Sequence, residues 1–353
     1  MTGQGPRARR ATGGRLGRLI AVVALALLAG CARREHLVIY TAAEADQIFA
    51  YKRAFARVHP EIDLVWVRDS TGVITSRLLA ERRAPRADVV FALAASSMMQ
   101  LDKAGLLAAY APAGLDRIDA RFRDRQSPPH WTGEALWSAA ICLNTVEARR
   151  RGLPTPESWL DLTKPVYRGM ISMPDPGSSG TGLMAVSSWL QTFGESRGWA
   201  FMDGLDRNVA SYAHSGSKPC KDASHGEIPI GIAIDYRAAQ AQARGLPIAV
   251  VAPREGLGWD VEATGVMRAA RHPAQARAFV DWALSDSAMA LYARTFAVVG
   301  VPAWTRPVPG LPADMSARLA PSDVAWTGAN RDRVIAEWTR RYGERRARQE
   351  KTR

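Results

Sequence analysis

From residue 37 onward, the chain alternates short apolar runs with longer stretches in which apolar positions recur every three or four residues. Residues 37–40, 64–67 and 89–93 are compact apolar blocks, the length and composition of buried strands. After the first block, Ile48, Tyr51, Phe55 and Val58 share one helical face. Further helices are predicted over 72–83 and 97–104. Strands alternating with helices in this order form a parallel sheet covered on both faces. A second block begins at 137–144, with strands near Ile171 and Val209 and over 230–234 and 248–251. Its clearest helix, over 181–193, buries Leu183, Val186, Leu190 and Phe193. Helices over 273–284 and 287–295, a Pro-rich connection at 302–312 and a terminal helix complete the chain. There is no internal repeat and no low-complexity segment.

The expected fold is therefore α/β: two lobes, each a mostly parallel sheet flanked by helices, with a cleft between them. Residues 31–136 form the first lobe and 137–262 the second, and 263–353 return to the first.

The first thirty residues have a different pattern. Arg7, Arg9, Arg10, Arg15 and Arg18 precede an apolar run over 19–28 with no acid among them. That run is too short for a membrane-spanning helix and fits a signal-peptide core. Leu28-Ala29-Gly30-Cys31 resembles a bacterial lipobox, which implies a signal peptide over 1–30 and lipid on Cys31. The expected location is periplasmic, anchored through that lipid to a bacterial membrane.

Charge and cysteines are read in that light. The net charge of +13 suggests a nucleic-acid binder until it is located. Five of the arginines lie in the signal, and residues 331–353 carry nine Arg or Lys against four acids. The body between is close to neutral, so nucleic acid is not an expected partner. The basic end reads as a solvated helix brushing lipid head groups. With Cys31 lipidated, Cys142 and Cys220 remain, either bonded in an oxidising compartment or buried as separate thiols.

The junctions where strands hand over to helices carry the candidate chemistry. In open α/β sheets, ligands bind beyond the carboxyl ends of the strands. Hydroxyl or small residues stand at one junction after another: Thr41-Ala42, Ser70-Thr71, Ala95-Ser96-Ser97, Ser178-Ser179-Gly180-Thr181 and Ser215-Gly216-Ser217. Each singly is an ordinary helix cap. Pro176-Gly-Ser-Ser-Gly-Thr-Gly182 exceeds what capping needs, and 214–219 repeats the device. Helix N-termini with added hydroxyl donors favour an anion of phosphate or carboxylate type. Catalytic readings fare worse. Ser215-Gly216-Ser217-Lys218 matches the S-x-x-K of serine acyl enzymes, but the companion S-D-N and K-T-G triplets are missing. No phosphate-binding P-loop, no G-x-S-x-G and no clustered Cys/His set for zinc occurs, so neither an enzyme nor a metal or other cofactor is expected.

Several motifs in order carry a family resemblance. They are Leu37-Val-Ile-Tyr-Thr-Ala-Ala-Glu-Ala-Asp-Gln47, Trp66-Val-Arg-Asp-Ser-Thr-Gly72 and Ala140-Ile-Cys-Leu-Asn-Thr145, then Pro176–Gly182, His214-Ser-Gly-Ser-Lys-Pro-Cys220 and Glu255-Gly-Leu-Gly-Trp-Asp260. Together they resemble the 2-aminoethylphosphonate-type substrate-binding proteins of ABC transporters. That group is akin to the ferric-iron-binding periplasmic proteins and has the type 2 periplasmic-binding fold. The resemblance spans about residues 37–302.

It implies a monomer that captures a small zwitterion between its lobes and hands it to a permease and ATPase. The phosphonate is assigned to Ser179, Gly180, Thr181, Ser215 and Ser217, with Thr41 or Thr71. The ammonium is assigned to Asp235 beside Tyr236, or to Glu44; each acid reads equally as a surface residue or cap. Trp137 and Ser96 are candidate cleft walls, with a core position the alternative for Trp137. The rival ligand is ferric iron, for which relatives offer adjacent tyrosines. Here Asp235-Tyr236 supplies one, and no Tyr-Tyr pair occurs.

Overall fold

A computed structural model describes Thr2 and residues 35–351 of the chain. The expected signal peptide, apart from Thr2, and the expected lipidation site Cys31 lie outside the described residues.

The first lobe begins with β1 (Glu35–Thr41), α1 (Ala45–Val58), β2 (Ile62–Arg68), α2 (Thr71–Ala80), β3 (Val89–Ala94) and α3 (Ala95–Lys103). β1 lies between β2 and β3, parallel to both. On α1, Tyr51 and Phe55 are fully buried, as the apolar spacing requires, while Val58 is exposed. A long strand, β4 (Thr132–Asn144), then leaves this lobe, and all 13 of its residues are buried. Up to Ser138 it pairs with β9; from Ala139 it pairs with β7 and β8 of the second lobe.

The second lobe contains α4 (Thr145–Arg150), β5 (Ile171–Pro174), α5 (Gly180–Phe193), α6 (Glu195–Asp206), β6 (Val209–Ala213), α7 (Lys218–Ser224), β7 (Ile230–Ile234), α8 (Asp235–Ala243) and β8 (Ile248–Val251). β5 runs parallel to β6 and β7. The chain returns along β9 (Trp259–Val266), antiparallel to both β3 and β4. α9 (Pro273–Ala283), α10 (Asp286–Tyr292) and the short β10 (Val298–Val299) follow, and α11 (Val324–Lys351) ends the described chain.

The continuous strand order is β2-β1-β3-β9-β4-β7-β5-β6, with β8 and β10 also on β4. The α/β two-lobed architecture is as expected. The sheet is mixed at its centre because β4 and β9 carry the chain in opposite directions between the lobes. β9 and the first half of β4 escape the apolar pattern, since Glu134, Asp260 and Glu262 interrupt it.

α11 touches both lobes. Gln100 of α3 reaches Asp332, and Gly328 lies close to the Ser96 carbonyl. Towards the second lobe, Arg333 pairs with Glu195, Arg341 with Asp203 and Arg345 with Asp206. Trp338 packs edge-on against Tyr212, 5.0 Å between centroids. The terminal helix thus does not return to the first lobe alone, and these arginines face acids of the second lobe instead of forming a free basic surface. Among the described residues, no helix is long and apolar enough to cross a membrane.

Candidate functional site

A narrow cleft with a cavity volume of about 40 Å³ lies between the lobes, at the ends of β1, β2, β3 and β7 and beside both crossing strands. Its hydroxyl side is built from two helix starts and one loop. Ser70 precedes α2 with an extended backbone, and its side chain accepts no capping bond, so Ser70 and Thr71 are left facing the cleft. Ser179 caps α5 only through a long 3.4 Å contact from Gly182 N, and Gly180 and Thr181 follow it into the cleft. Ser215 and Gly216 close this side. Both helices exceed two turns, so their unpaired first N–H groups supply a site suited to an anion.

Glycine is needed here for space. A methyl group at Gly180 would meet Thr71 Oγ1 at 2.7 Å, and one at Gly216 would penetrate the Thr181 hydroxyl. Ala92, at φ 49°, occupies a left-handed conformation where the β3–β9 register shifts. With Ala94, it lines the cleft with minimal side-chain bulk.

Charged groups line the same cavity. Glu44 caps α1 and is bonded by Arg68 at 2.9 Å and Arg237 at 3.3 Å. Arg68 also donates to the Ala43 carbonyl. Trp137 and Tyr236 form the aromatic walls, and the Arg237 guanidinium sits over the Tyr236 ring. Burial, with Glu262 and Glu44 nearby, pushes the Tyr236 phenol well above its ordinary range. Glu262 of β9 lines the cleft with no hydrogen bond to any described residue; burial, then Glu44 and Asp235, pushes its carboxyl up to about 8.

The lobes meet across the mouth of this cleft. Gly72 N donates to Ser178 O at 2.9 Å, His214 Nε2 lies 2.8 Å from Asp69, and Arg237 forks onto Asp46 at 2.7 and 3.0 Å. A side chain at Gly72 would collide with the Ser178 backbone, so glycine lets the two backbones approach.

Of the residues singled out from the sequence, Thr71, Ser179, Gly180, Thr181, Ser215, Glu44, Tyr236 and Trp137 line this one cleft. Four candidates do not. Thr41 is fully buried, and its Oγ1 accepts from Ala43 N, bracing the turn after β1. Ser96 donates to Asp260 at 2.6 Å. Ser217 lines a separate groove with Lys221 and Arg244. Asp235 is buried, accepting from Ser138 Oγ at 2.8 Å and Tyr236 N at 2.7 Å, and is not among the cleft-lining residues. Its ammonium role is corrected on that ground: both bonds hold the carboxylate away from the cavity. Conversely, Arg68 and Glu262 were missed. Arg68 lies inside a quoted motif, at the end of a strand; Glu262 stands in a strand whose apolar pattern is broken.

Lys218 is engaged by Asp222 at 2.6 Å, which argues against its use as the base of an acyl enzyme. Cys142 of β4 and Cys220 of α7 are disulfide-bonded, one of the two readings of these cysteines.

Comparison with known proteins agrees with this architecture. A probable ABC transporter periplasmic-binding protein, y4fP, of Sinorhizobium fredii is 30% identical over 239 residues, 65% of this chain and 64% of that one. The Fe(3+)-binding periplasmic protein of Serratia marcescens is 23% identical over 255 residues, covering 70% of this chain and 72% of its own. The periplasmic binding protein AfuA of Actinobacillus pleuropneumoniae, solved with exogenous fructose-6-phosphate bound, superposes with a TM-score of 0.81 at 26% identity. That match covers 87% of this chain and 98% of that one. The family model described as bacterial extracellular solute-binding protein matches residues 84–330, and the chain belongs to that family.

Proposed function

We propose that this protein captures 2-aminoethylphosphonate or a close aminoalkylphosphonate and presents it to an ABC permease and its ATPase. The family assigns the coarser role, an extracytoplasmic solute-binding protein of an ABC transporter, and its relatives are binding proteins, not enzymes. The observation carrying the finer reading is one cavity that joins Thr71, Ser179, Gly180, Thr181 and Ser215 to the carboxylates Glu44 and Glu262. Hydroxyl and helix-terminal N–H donors suit the oxygens of a phosphonyl head. Carboxylates suit a group that donates, above all an ammonium. Closure of the lobes over the ligand removes water from both ends. We further propose that the protein acts as a monomer held to a bacterial membrane by lipid on Cys31.

A second reading, a sugar phosphate, is favoured by the fructose-6-phosphate bound in AfuA, since sugar hydroxyls also donate to carboxylates. Ferric iron, named for the Serratia relative, suits this cleft less well. Among the described residues, Tyr236 is the one tyrosine lining it, and its surroundings oppose the phenolate that hard Fe(III) requires.

Calorimetric titration against 2-aminoethylphosphonate, fructose-6-phosphate, inorganic phosphate and ferric citrate tests the reading. The aminophosphonate is expected to bind most tightly. Tighter binding of the sugar phosphate would favour the second reading, and a visible charge-transfer band with one iron per chain would overturn both. Thr181→Ala should weaken every phosphorus ligand together by about tenfold or more, the loss of a hydrogen bond to a charged group.

A further inference from the structure

Glu262 has a buried acidic neighbour. On β4, Glu134 occupies the register shift between Gly133 and Ala135, and Ala135 pairs with Glu262. The Glu134 side chain is 1% exposed, and neither of its carboxyl oxygens has a hydrogen-bond partner. The buried Tyr292 hydroxyl, which lies in the field of both acids, is likewise unsatisfied. Orphaned polar atoms at this density are rare in a native interior and mark a place built for something else.

The charges explain what is lacking. Glu262 faces Glu44 and Tyr51 from α1, Glu134 from β4, Asp235, Tyr236 and Arg237 from α8, and Tyr292 from α10. Arg237 is the one cation in that set, and it is already engaged by Asp46 and Glu44. Asp235 is satisfied by Ser138 and its own helix start. Among the described residues, Glu262 and Glu134 are left as two neighbouring acids with no ion-pair partner of their own, one of them open to the cleft.

We infer that Glu262, backed by Glu134, is the cation-recognising end of the cleft and receives the protonated amine of the ligand. The inference rests on the aminophosphonate reading and deepens it. Two desolvated acids side by side cannot readily both ionise; burial and their mutual repulsion push both carboxyls up, so near neutral pH without a bound cation they retain protons. An arriving ammonium supplies the missing positive charge, and Glu262 gives its proton to solvent as the ion pair forms. Binding of an aminated ligand near neutral pH therefore releases a proton from the protein. Affinity rises with pH towards about 8, above which Glu262 is already ionised.

The test is calorimetry on wild type and Glu262→Gln with 2-aminoethylphosphonate and with ethylphosphonate, at neutral pH in buffers of contrasting ionisation enthalpy. Ethylphosphonate reports any proton that comes from the phosphonate itself. Wild type is expected to release an extra proton only with the aminated ligand. Glu262→Gln should abolish that extra proton and weaken the aminated ligand by about tenfold or more, leaving ethylphosphonate within a few-fold. Glu134→Gln, whose carboxyl does not open to the cleft, should have a smaller effect in the same direction. Unchanged binding of 2-aminoethylphosphonate by Glu262→Gln overturns the inference alone. Failure of wild type to bind either phosphonate overturns both the inference and the reading on which it rests.

Discussion

Asp260 on the crossing strand β9 and Asp235 at the start of α8 are each bonded by a serine from a neighbouring element, Ser96 of α3 and Ser138 of β4. Each accepts from one serine and one backbone N–H: Asp235 from Ser138 and Tyr236, Asp260 from Ser96 and Val261. Burial nevertheless outweighs these bonds and pushes both carboxyls up to about 6. A folded-state value above the unfolded one means that the folded chain holds its proton longer. The cost of burying the charge is absent below the unfolded value and complete once pH rises past the folded one. Asp235→Asn, whose amide oxygen can accept from Tyr236 N while its NH2 donates to the Ser138 hydroxyl, should therefore stabilise the protein at pH 8 by roughly 1–3 kcal/mol and far less near pH 4. Thermal unfolding at the two pH values reads this directly. A mutant less stable than wild type at pH 8 would mean that the ionised bonds outweigh desolvation.

Residue by residue, legibility stopped at the direction of the side chain. Thr71 and Thr41 look alike in sequence, a hydroxyl at the end of a strand, as do Ser215 and Ser217. Which of them meets the ligand is set by one step of backbone rotation. Glu262 was unreadable for another reason: an acid in a strand normally marks a solvent-facing position, whereas here it faces an enclosed cavity.

At the scale of elements, periodicity located most helices and strands, because burial of one face imposes it. α2, α3, α5, α9 and α10 lie where the apolar spacing placed them, within a few residues. The central β4 and β9 were partly or wholly missed, since strands that border a polar cleft tolerate acids the core does not. The disulfide joins β4 to the helix α7 across 78 residues of sequence. Both sulfurs are in an apolar setting, with Ala223, Ile228 and Ala233 in the same buried cluster. Replacing both cysteines by alanine should cost about 2–4 kcal/mol of stability, as expected for opening a long loop in the unfolded chain. Chemical denaturation measures it. Two free thiols per chain in denatured, non-reduced wild type would instead show that the bond does not form.

The whole molecule is governed by how the lobes meet. Arg237 of the second lobe holds Asp46 and Glu44 of the first, and these contacts hold Asp46 below and Arg237 above their ordinary ranges. Arg237→Met should loosen the lobes: small-angle scattering of the ligand-free mutant should give a larger radius of gyration, saturating ligand should restore compactness, and affinity should fall. Identical scattering and affinity would mean that the α11 contacts and the Gly72–Ser178 bond suffice to hold the lobes together. Sequence alone determined the α/β class, the two blocks, the hydroxyl-rich helix starts and the pair of cysteines available to bond, because each follows from local periodicity, local capping or simple counting. Only the tertiary structure decided that α11 bridges the lobes, that Asp235 turns inward and that Glu262 meets Glu134. Those outcomes depend on contacts between elements roughly a hundred or more residues apart, and neither spacing nor composition encodes which side chains such contacts bring together.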